Sequence, residues 1–189
     1  MKRIVLLFGV FAVSLIVALN AAGQGKAPAK APRPAESATQ EALAAWNEVG
    51  RKLVAMAEDW PEAKYDYKPT PEVRSFAEQL LHVAGTNYFF TNTAMGKELG
   101  PEDLPRDKYK TKADIVAALK KSFADGADAF KQKGDAGMSA AVKHPFGNYM
   151  AHLASIAWDV TEHSGEHYGN LVVYYRLNKM VPPESRPRR

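Results

Sequence analysis

The amino-acid sequence predicts an all-α protein whose main domain is a four-helix bundle. Apolar residues recur at three- and four-residue steps in four separate segments, which is the spacing of one helix face. Capping-box residues open three of these segments, and prolines or glycines separate them. No segment has a pattern that favours a strand over these helices. Four amphipathic helices joined by loops most simply pack as a bundle.

Residues 1–23 are expected to be an export signal. Two cations follow the initiating methionine, the run Ile4–Leu19 carries no charge, and small residues come next, so cleavage is expected after Ala22 or Gly23. The alternative is an uncleaved anchor, although this run of 16 residues is short for a membrane span, which needs about 20. We therefore expect a periplasmic or extracellular protein with no stable membrane span after cleavage. Without cleavage it would be tethered to the membrane.

The composition excludes several classes of function. Of 189 residues, 25 are Lys or Arg and 21 are Asp or Glu. Removal of residues 1–23 leaves 23 basic and 21 acidic residues, which is too even a balance for a nucleic-acid-binding protein. The absence of cysteine excludes a thiolate nucleophile, a thiolate metal ligand and a lipid-modified cysteine. The expected ligand is a small molecule, and the sequence leaves open whether the chain forms a homodimer.

The chain divides into three parts after the signal. Residues 24–36 are rich in Ala, Pro and Lys and are expected to form an extended tether. The predicted domain covers residues 37–183, and residues 184–189 form a basic tail that is expected to be solvated. The loops within the domain are longer than an up-down bundle needs, which allows a crossover connection.

Start and stop signals set the expected helix bounds. The capping boxes pair Ser37 with Gln40, Ser75 with Glu78, and Thr111 with Asp114. The expected helices run from Ser37 to Pro61, from Ser75 to about Met95, from Thr111 to a break at Gly134 and Gly137, and from about Asn148 to Leu177, before Pro182 and Pro183.

A pair of histidines in the last predicted helix indicates a metal site. His163 and His167 lie four residues apart, and four residues turn an α-helix by about 400°, so the two imidazoles lie roughly 40° apart and one turn above each other. This spacing lets both rings bind one ion, although an exposed pair on a solvated face is the alternative. The apolar stripe of the same helix favours an inward orientation, since it includes both histidines together with Ile156, Val160, Leu171 and Tyr174.

Other residues of this helix have candidate roles. Asp159, one turn before His163, is predicted to orient an imidazole or to ligate the ion, the alternative being an exposed aspartate. Gly165 and Gly169 weaken the helix, and close approach of another helix or a ligand would explain them.

A third ligand has to come from another helix, and His82 in the second helix is the best candidate. The small residues Gly85 and Thr86 follow one turn later and leave space beside it. The alternative for His82 is a core histidine bonded to a backbone carbonyl. His144 is expected to be exposed in a loop, and His152 lies roughly 16 Å from His163 along the helix axis, too far to share its ion.

Three imidazoles from two helices would leave coordination positions open, as in a reactive rather than a structural metal site. Neutral imidazole suits Zn, Ni, Fe or Cu, so the sequence does not choose the metal. The expected cofactor is therefore one divalent transition metal, with Zn, Ni and Fe as the candidates.

A second motif overlaps the histidine pair. The run from His163 to His167 fits the inverted zincin pattern H-x-x-E-H, in which Glu166 would be the general base. That family takes its third ligand from a distant downstream glutamate, and the only glutamate left here is Glu184, in a proline-rich tail. Glu166 could still act as a base beside a metal, but its helical offset from His163 favours an orientation towards solvent.

Together these motifs resemble the DinB-like (DinB/YfiT) superfamily. The resemblance covers about residues 39–183, with the elements in the family's order. Its members are four-helix bundles that hold a divalent metal with three histidines, and by motif these correspond to His82, His163 and His167. Many members have a histidine and a glutamine where this chain has Tyr168 and Asn170. The residues that carry the resemblance are Tyr67-Lys-Pro69, Val73-Arg-Ser75-Phe76, Leu80-Leu-His82, His163-x3-His167-Tyr-Gly169-Asn-Leu171-Val, Tyr175-Arg-Leu-Asn and Pro182-Pro183.

The resemblance constrains function only loosely. Some members are thiol-dependent transferases or isomerases, and others are called metal-dependent hydrolases. Export would separate the protein from cytosolic thiols, which favours a metal-dependent hydrolase or a protein without catalysis. The alternatives that stay open are a metal-binding or small-ligand-binding module of the cell envelope, a thiol-dependent transferase, and a structural bundle with incidental histidines.

Overall fold

The fold is a bundle of four long helices. The computed structural model describes residues 34–187. The expected export signal, most of the expected tether, and Arg188 and Arg189 lie outside the described residues. The helices are α1 (Ala38–Asp59), α2 (Phe76–Ala94), α3 (Lys112–Met138) and α4 (Leu153–Leu177). This architecture confirms the predicted fold class.

The helices do not follow one another around the bundle. Helices α1 and α2 each pack mainly against α3 and α4, so these two consecutive helices occupy diagonal positions. The segment between them therefore crosses one end of the bundle, and it includes a short 3-10 turn at Glu62–Lys64. The core between the helices is apolar and aromatic, and its largest fully buried side chains are Trp46, Trp60, Tyr175, Phe76, Phe130, Leu53, Met56, Leu80, Leu81, Ile115, Leu119 and Met138.

The three predicted capping boxes are present. The side chains of Ser37, Ser75 and Thr111 each accept a hydrogen bond from the backbone three residues later, and the side chain at that later position bonds back. These caps satisfy backbone N–H groups that lack a partner within the helix. They fix the starts of α1, α2 and α3 at the residues that the sequence indicated.

The start of the last helix was predicted wrongly. Residues 150–152 do not belong to α4. They form a strand, β2 (Met150–His152), which pairs antiparallel with β1 (Ala141–Lys143), and α4 begins only at Leu153. Strands of three residues are too short to show an alternating pattern, so they could not be predicted from the sequence. Gly147, with a φ of 100°, allows the chain to turn between the two strands.

The expected break in the third helix is present at Gly134. This residue has a φ of 59°, and helical geometry resumes after it as far as Met138. The kink has a simple cause, because a left-handed backbone conformation interrupts the helical hydrogen bonds and glycine adopts it at low cost.

Part of the expected basic tail is fixed on α1. A 3-10 turn at Pro183–Ser185 follows α4. Arg51 donates to Glu184 at 2.8 Å, and Arg186 donates to Asp59 at 2.7 and 2.6 Å. Arg186 stays exposed, as expected of a solvated tail, but this ion pair holds its side chain on α1. Within residues 34–187, no helix combines the length and hydropathy that a membrane span requires.

Candidate metal centre

Helices α2 and α4 bring the three predicted histidines together. His82 lies on α2, and His163 and His167 lie one turn apart on α4. The Nε2 atom of His163 is 3.2 Å from Nε2 of His82 and 3.2 Å from Nε2 of His167. All three Nε2 atoms therefore meet between the two helices. Within the described chain, these residues form the group that could hold a metal ion.

The other ring nitrogen of each histidine faces an oxygen atom. Nδ1 of His82 lies 3.0 Å from the carboxylate of Asp103, and Nδ1 of His167 lies 2.5 Å from Oε1 of Gln79. Both oxygens accept hydrogen bonds, so Nδ1 carries the proton in the neutral rings and Nε2 has a free lone pair. A proton on Nδ1 thus leaves Nε2 of the same ring able to bind a metal ion.

His163 follows the same rule through a hydroxyl group. Its Nδ1 lies 3.4 Å from Oγ1 of Thr86. That hydroxyl donates its own proton to the backbone carbonyl of His82 at 2.8 Å, so it is free to accept from Nδ1 of His163. The sequence had suggested Thr86 only as a small neighbour of His82.

The amide of Gln79 is oriented by a chain of hydrogen bonds. The hydroxyl of Tyr174 donates to the backbone carbonyl of Arg74 at 2.6 Å and accepts from Nε2 of Gln79 at 3.3 Å. The amide nitrogen is therefore occupied, and Oε1 points to His167. Both Gln79 and Tyr174 are buried, which restricts the alternatives open to the amide.

Three Nε2 lone pairs that point into one largely buried space form a favourable site for a cation. Nitrogen ligands bind zinc at about 2.1 Å, which places neighbouring ligands roughly 3.0–3.4 Å apart in octahedral or tetrahedral geometry. The two separations from His163, both 3.2 Å, fall in this range, and the ligand atoms of all three histidines lie within 4.8 Å of one another. The residues present therefore fit a metal ion bound by three imidazoles, with the remaining coordination positions open.

The electrostatic environment keeps these histidines neutral, which is the form that binds metal. Burial, with a smaller contribution from the neighbouring His82, lowers the pKa of His163 to about 4. Burial also lowers the pKa of His167 to about 3, with contributions from His163 and His82. The pKa of His82 is lowered as well, chiefly by burial, although Asp103 opposes this.

A close approach at Gly85 places Asp103 beside the site. Gly85 lies on α2, nearly one turn after His82. A Cβ atom added at Gly85 would lie 2.5 Å from the carbonyl oxygen of Glu102, so only glycine lets the loop pack here against the helix. The next residue of that loop is Asp103, which reaches His82 and also pairs with Arg74 at 3.2 Å. The sequence correctly suggested space at Gly85, but it did not indicate that the backbone of Glu102 fills that space.

The carboxylate of Asp159 pairs with His144 rather than with one of the three clustered histidines. Nε2 of His144 lies 3.0 Å from the carboxylate of Asp159, and the backbone N–H of Phe146 donates to Nδ1 of His144 at 3.0 Å. His144 is buried, so the expectation that it is exposed was wrong. Its hydrogen bonds attach the hairpin loop to α4, and the acidic residue beside the candidate ligands is Asp103.

The remaining candidate residues lie apart from the cluster. Glu166 is exposed on α4. Glu184, which an inverted zincin would need as a ligand, pairs with Arg51 instead. His152 is the residue before α4, and its Nδ1 lies 2.8 Å from the backbone carbonyl of Ser139. The overlap with the protease motif therefore has no counterpart in the structure.

The explanation suggested for Gly165 and Gly169 was also wrong within the chain. In the described structure, no heavy atom beyond the adjacent residues and the local helix backbone lies within 4 Å of a Cβ atom built at either residue. Neither glycine is needed to fit a neighbouring helix of the same bundle or the histidine cluster.

A four-helix bundle with histidines from two facing helices defines a class of helical proteins with a candidate metal centre. The family model for the DinB superfamily matches residues 45–171. The chain belongs to the DinB superfamily. The chain has no significant sequence match among curated proteins.

Solved structures share the fold at low sequence identity. One is YfiT from Bacillus subtilis, described as a probable metal-dependent hydrolase with an unusual four-helix bundle topology. It matches with a TM-score of 0.60 and 16% identity over 80% of this chain and 94% of that chain. Another is a mycothiol-dependent maleylpyruvate isomerase, with a TM-score of 0.58 and 14% identity over 70% of this chain. The match spans only 60% of the isomerase. At these identities the two comparisons support the fold.

Proposed function

We propose that the chain binds one divalent transition metal through His82, His163 and His167 and acts as a metal-dependent hydrolase on a small molecule. The observation that carries the proposal is the convergence of three Nε2 lone pairs, with Nε2 separations of 3.2 Å at His163. The described function of YfiT as a probable metal-dependent hydrolase supports the same reaction class. Zn, Ni and Fe all suit three neutral imidazoles.

The residues around the site have distinct roles in this proposal. When bound, a metal ion lowers the pKa of a coordinated water and polarises a substrate oxygen. Asp103 and Gln79 hold the Nδ1 protons of His82 and His167, which keeps the Nε2 lone pairs available and fixes the ring orientations. Burial keeps the histidines neutral, so protons compete weakly for the ligand atoms.

The mycothiol-dependent isomerase motivates a second candidate, in which an open coordination position binds the sulfur of a low-molecular-weight thiol. The chain has no cysteine, so any thiolate would have to come from such a cofactor or from the substrate. The expected export signal favours hydrolysis, because an exported protein would not meet cytosolic thiols. Export to the periplasm or the extracellular space is part of the proposal. A binding module without catalysis predicts the same metal content and no turnover.

Metal content is the first test. The untagged full-length chain, purified without chelator, should contain about one transition metal per chain by mass spectrometry of the elements. His82→Ala, His163→Ala and His167→Ala should each lose most of it. His152→Ala is the matched control, since this exposed histidine lies outside the cluster, and it should keep its metal. Equal metal in all five proteins would contradict the proposed site.

Reaction class is the second test. The metal-loaded chain should hydrolyse at least one member of a panel of ester, amide and phosphoester substrates, and His163→Ala should not. Turnover that requires an added low-molecular-weight thiol would instead favour the transferase. Metal binding with no turnover in either assay would favour the binding module.

A further inference from the structure

The outward side of α4 exposes three large apolar side chains. Trp158, Val173 and Leu177 are 67%, 53% and 57% exposed. Their spacing places them along the side of the helix that faces away from the bundle, over a length of about 28 Å. Large apolar side chains that share one surface strip are typical of an interaction site. We call this strip the outer face of α4.

Two charges of opposite sign lie on the same face. Glu162 and Arg176 are exposed, and within residues 34–187 the side chain of neither has an ion-pair or hydrogen-bond partner. Gly169 lies midway between them, seven residues from each. The outer face is therefore acidic on one side of Gly169 and basic on the other, at equal distances.

This arrangement is complementary to itself in one orientation only. If a second copy packs antiparallel with its Gly169 opposite this one, Glu162 lies at the level of Arg176 of the second copy, and Arg176 at the level of its Glu162. A parallel pairing would put like charges opposite each other, which is unfavourable. The charge pattern thus selects an antiparallel pair with two-fold symmetry.

The positions of large and small residues on the outer face are also complementary in the antiparallel pair. Gly165 and Val173 are also equidistant from Gly169, so the side chain of Val173 on one copy would lie over the uncovered backbone at Gly165 on the other. A Cβ atom at Gly165 or Gly169 would meet no atom within 4 Å in the described chain. The space that these glycines leave open is on the outside, where a second helix can approach closely.

We propose that two copies of this chain form a dimer through the outer faces of α4, antiparallel and with Gly169 at the two-fold axis. The candidate ligands His163 and His167 point to the other side of the helix, towards α2. The dimer therefore leaves the histidine cluster uncovered, and its formation is independent of metal binding.

Charge reversal tests the pairing. The full-length chain, purified in the form in which cells process it, should sediment as a dimer at micromolar concentration. Glu162→Arg and Arg176→Glu should each weaken dimerisation at least tenfold, because each places like charges at both ends of the interface. The double variant should recover it, since the complementary pattern is restored. Metal content should stay unchanged in all of these proteins, which separates this proposal from the proposed function.

Cross-linking at the axis gives an independent measurement. The chain has no cysteine, so Gly169→Cys introduces a single thiol at the position where the two copies meet. It should form a disulfide-linked dimer under mild oxidation, and the control Ala44→Cys, exposed on α1, should not. A monomer at 100-fold higher concentration, or a dimer that is insensitive to both charge reversals and not cross-linked at Gly169, would overturn the proposal. Either result would leave another partner, or the N-terminal segment of the same chain, as the candidate occupant of this face.

Discussion

The carboxylate of Asp103 lies 3.0 Å from Nδ1 of His82, although the two residues are 21 positions apart in the chain and Asp103 lies in a loop. This contact determines which nitrogen of His82 carries the proton and therefore which nitrogen faces the other histidines. Asp103 also bonds to Arg74 at 3.2 and 3.3 Å, which fixes the carboxylate from the opposite side. The loop before α3 is thus part of the candidate metal centre.

Replacement of Asp103 should weaken metal binding without removing a ligand. In Asp103→Asn the amide no longer supplies a negative charge to His82, and an orienting partner of this kind contributes about tenfold to a hundredfold to metal affinity. A competition titration with a chromogenic chelator measures the affinity. Asp107→Asn, an exposed change in the same loop, is the control and should match the parent chain. If both variants bind metal equally well, Asp103 has no orienting role.

A methyl group at Gly85 should act on the metal site through the loop. The Cβ atom of Gly85→Ala would meet the backbone of Glu102 at 2.5 Å, so the loop has to move away and take Asp103 with it. We expect weaker metal binding and a loss of about 1–3 kcal/mol in the free energy of unfolding. The double variant Gly85→Ala with Asp103→Asn tests whether Gly85 acts on the metal site through Asp103. If it does, the two losses of metal affinity will not add, because both act through one contact. Fully additive losses of affinity would mean that Gly85 acts independently of Asp103.

The sequence predicted the candidate ligands better than the residues that contact their Nδ1 atoms. His163 and His167 could be paired because helix geometry relates residues four apart, and the apolar stripe gave the direction. His82 could be assigned mainly through the family resemblance, since nothing in local spacing relates α2 to α4. Gln79 lies one turn before His82 on α2 and could have been found by the same counting, but Asp103 could not, because its position depends on how a loop packs at Gly85.

The same limit explains the errors at Asp159 and His144. A helix period placed Asp159 near His163, and this neighbourhood is real, but the period says nothing about which group from elsewhere in the chain will compete for the carboxylate. The hairpin supplies that group, His144, and the hairpin could not be predicted because its strands have three residues each. Long helices with caps were predictable, whereas contacts made by short loops and strands were not.

Acid should destabilise the metal-free protein in a window set by the histidines. The ordinary histidine pKa of about 6.5 applies to the unfolded chain, while the folded values are about 4 for His163 and about 3 for His167. Below pH 6.5 the unfolded chain therefore binds protons that the folded chain does not, and the free energy of unfolding falls as the pH falls, by at most about 1.4 kcal/mol per pH unit for each histidine. Above pH 7 this contribution is constant.

Urea unfolding in the presence of a chelator, at several values between pH 7.5 and pH 5, measures this slope. Lowered carboxyl pKa values act mainly below this window, so the histidines dominate it. His167→Gln removes one of the groups concerned and should give a shallower slope than the parent chain. A parent slope no steeper than that of the variant would contradict the neutral, buried state of His167.

Metal should stabilise the folded chain in proportion to its free concentration. A ligand that binds only the folded state stabilises it by about 4 kcal/mol at a thousandfold excess over its Kd. We therefore expect the melting temperature of the parent chain to rise with added Zn or Ni and to fall on addition of a chelator. His163→Ala should not respond, because it lacks the histidine whose Nε2 contacts both others at 3.2 Å. His152→Ala should respond as the parent does, and an equal response of His163→Ala would place the metal elsewhere in the chain.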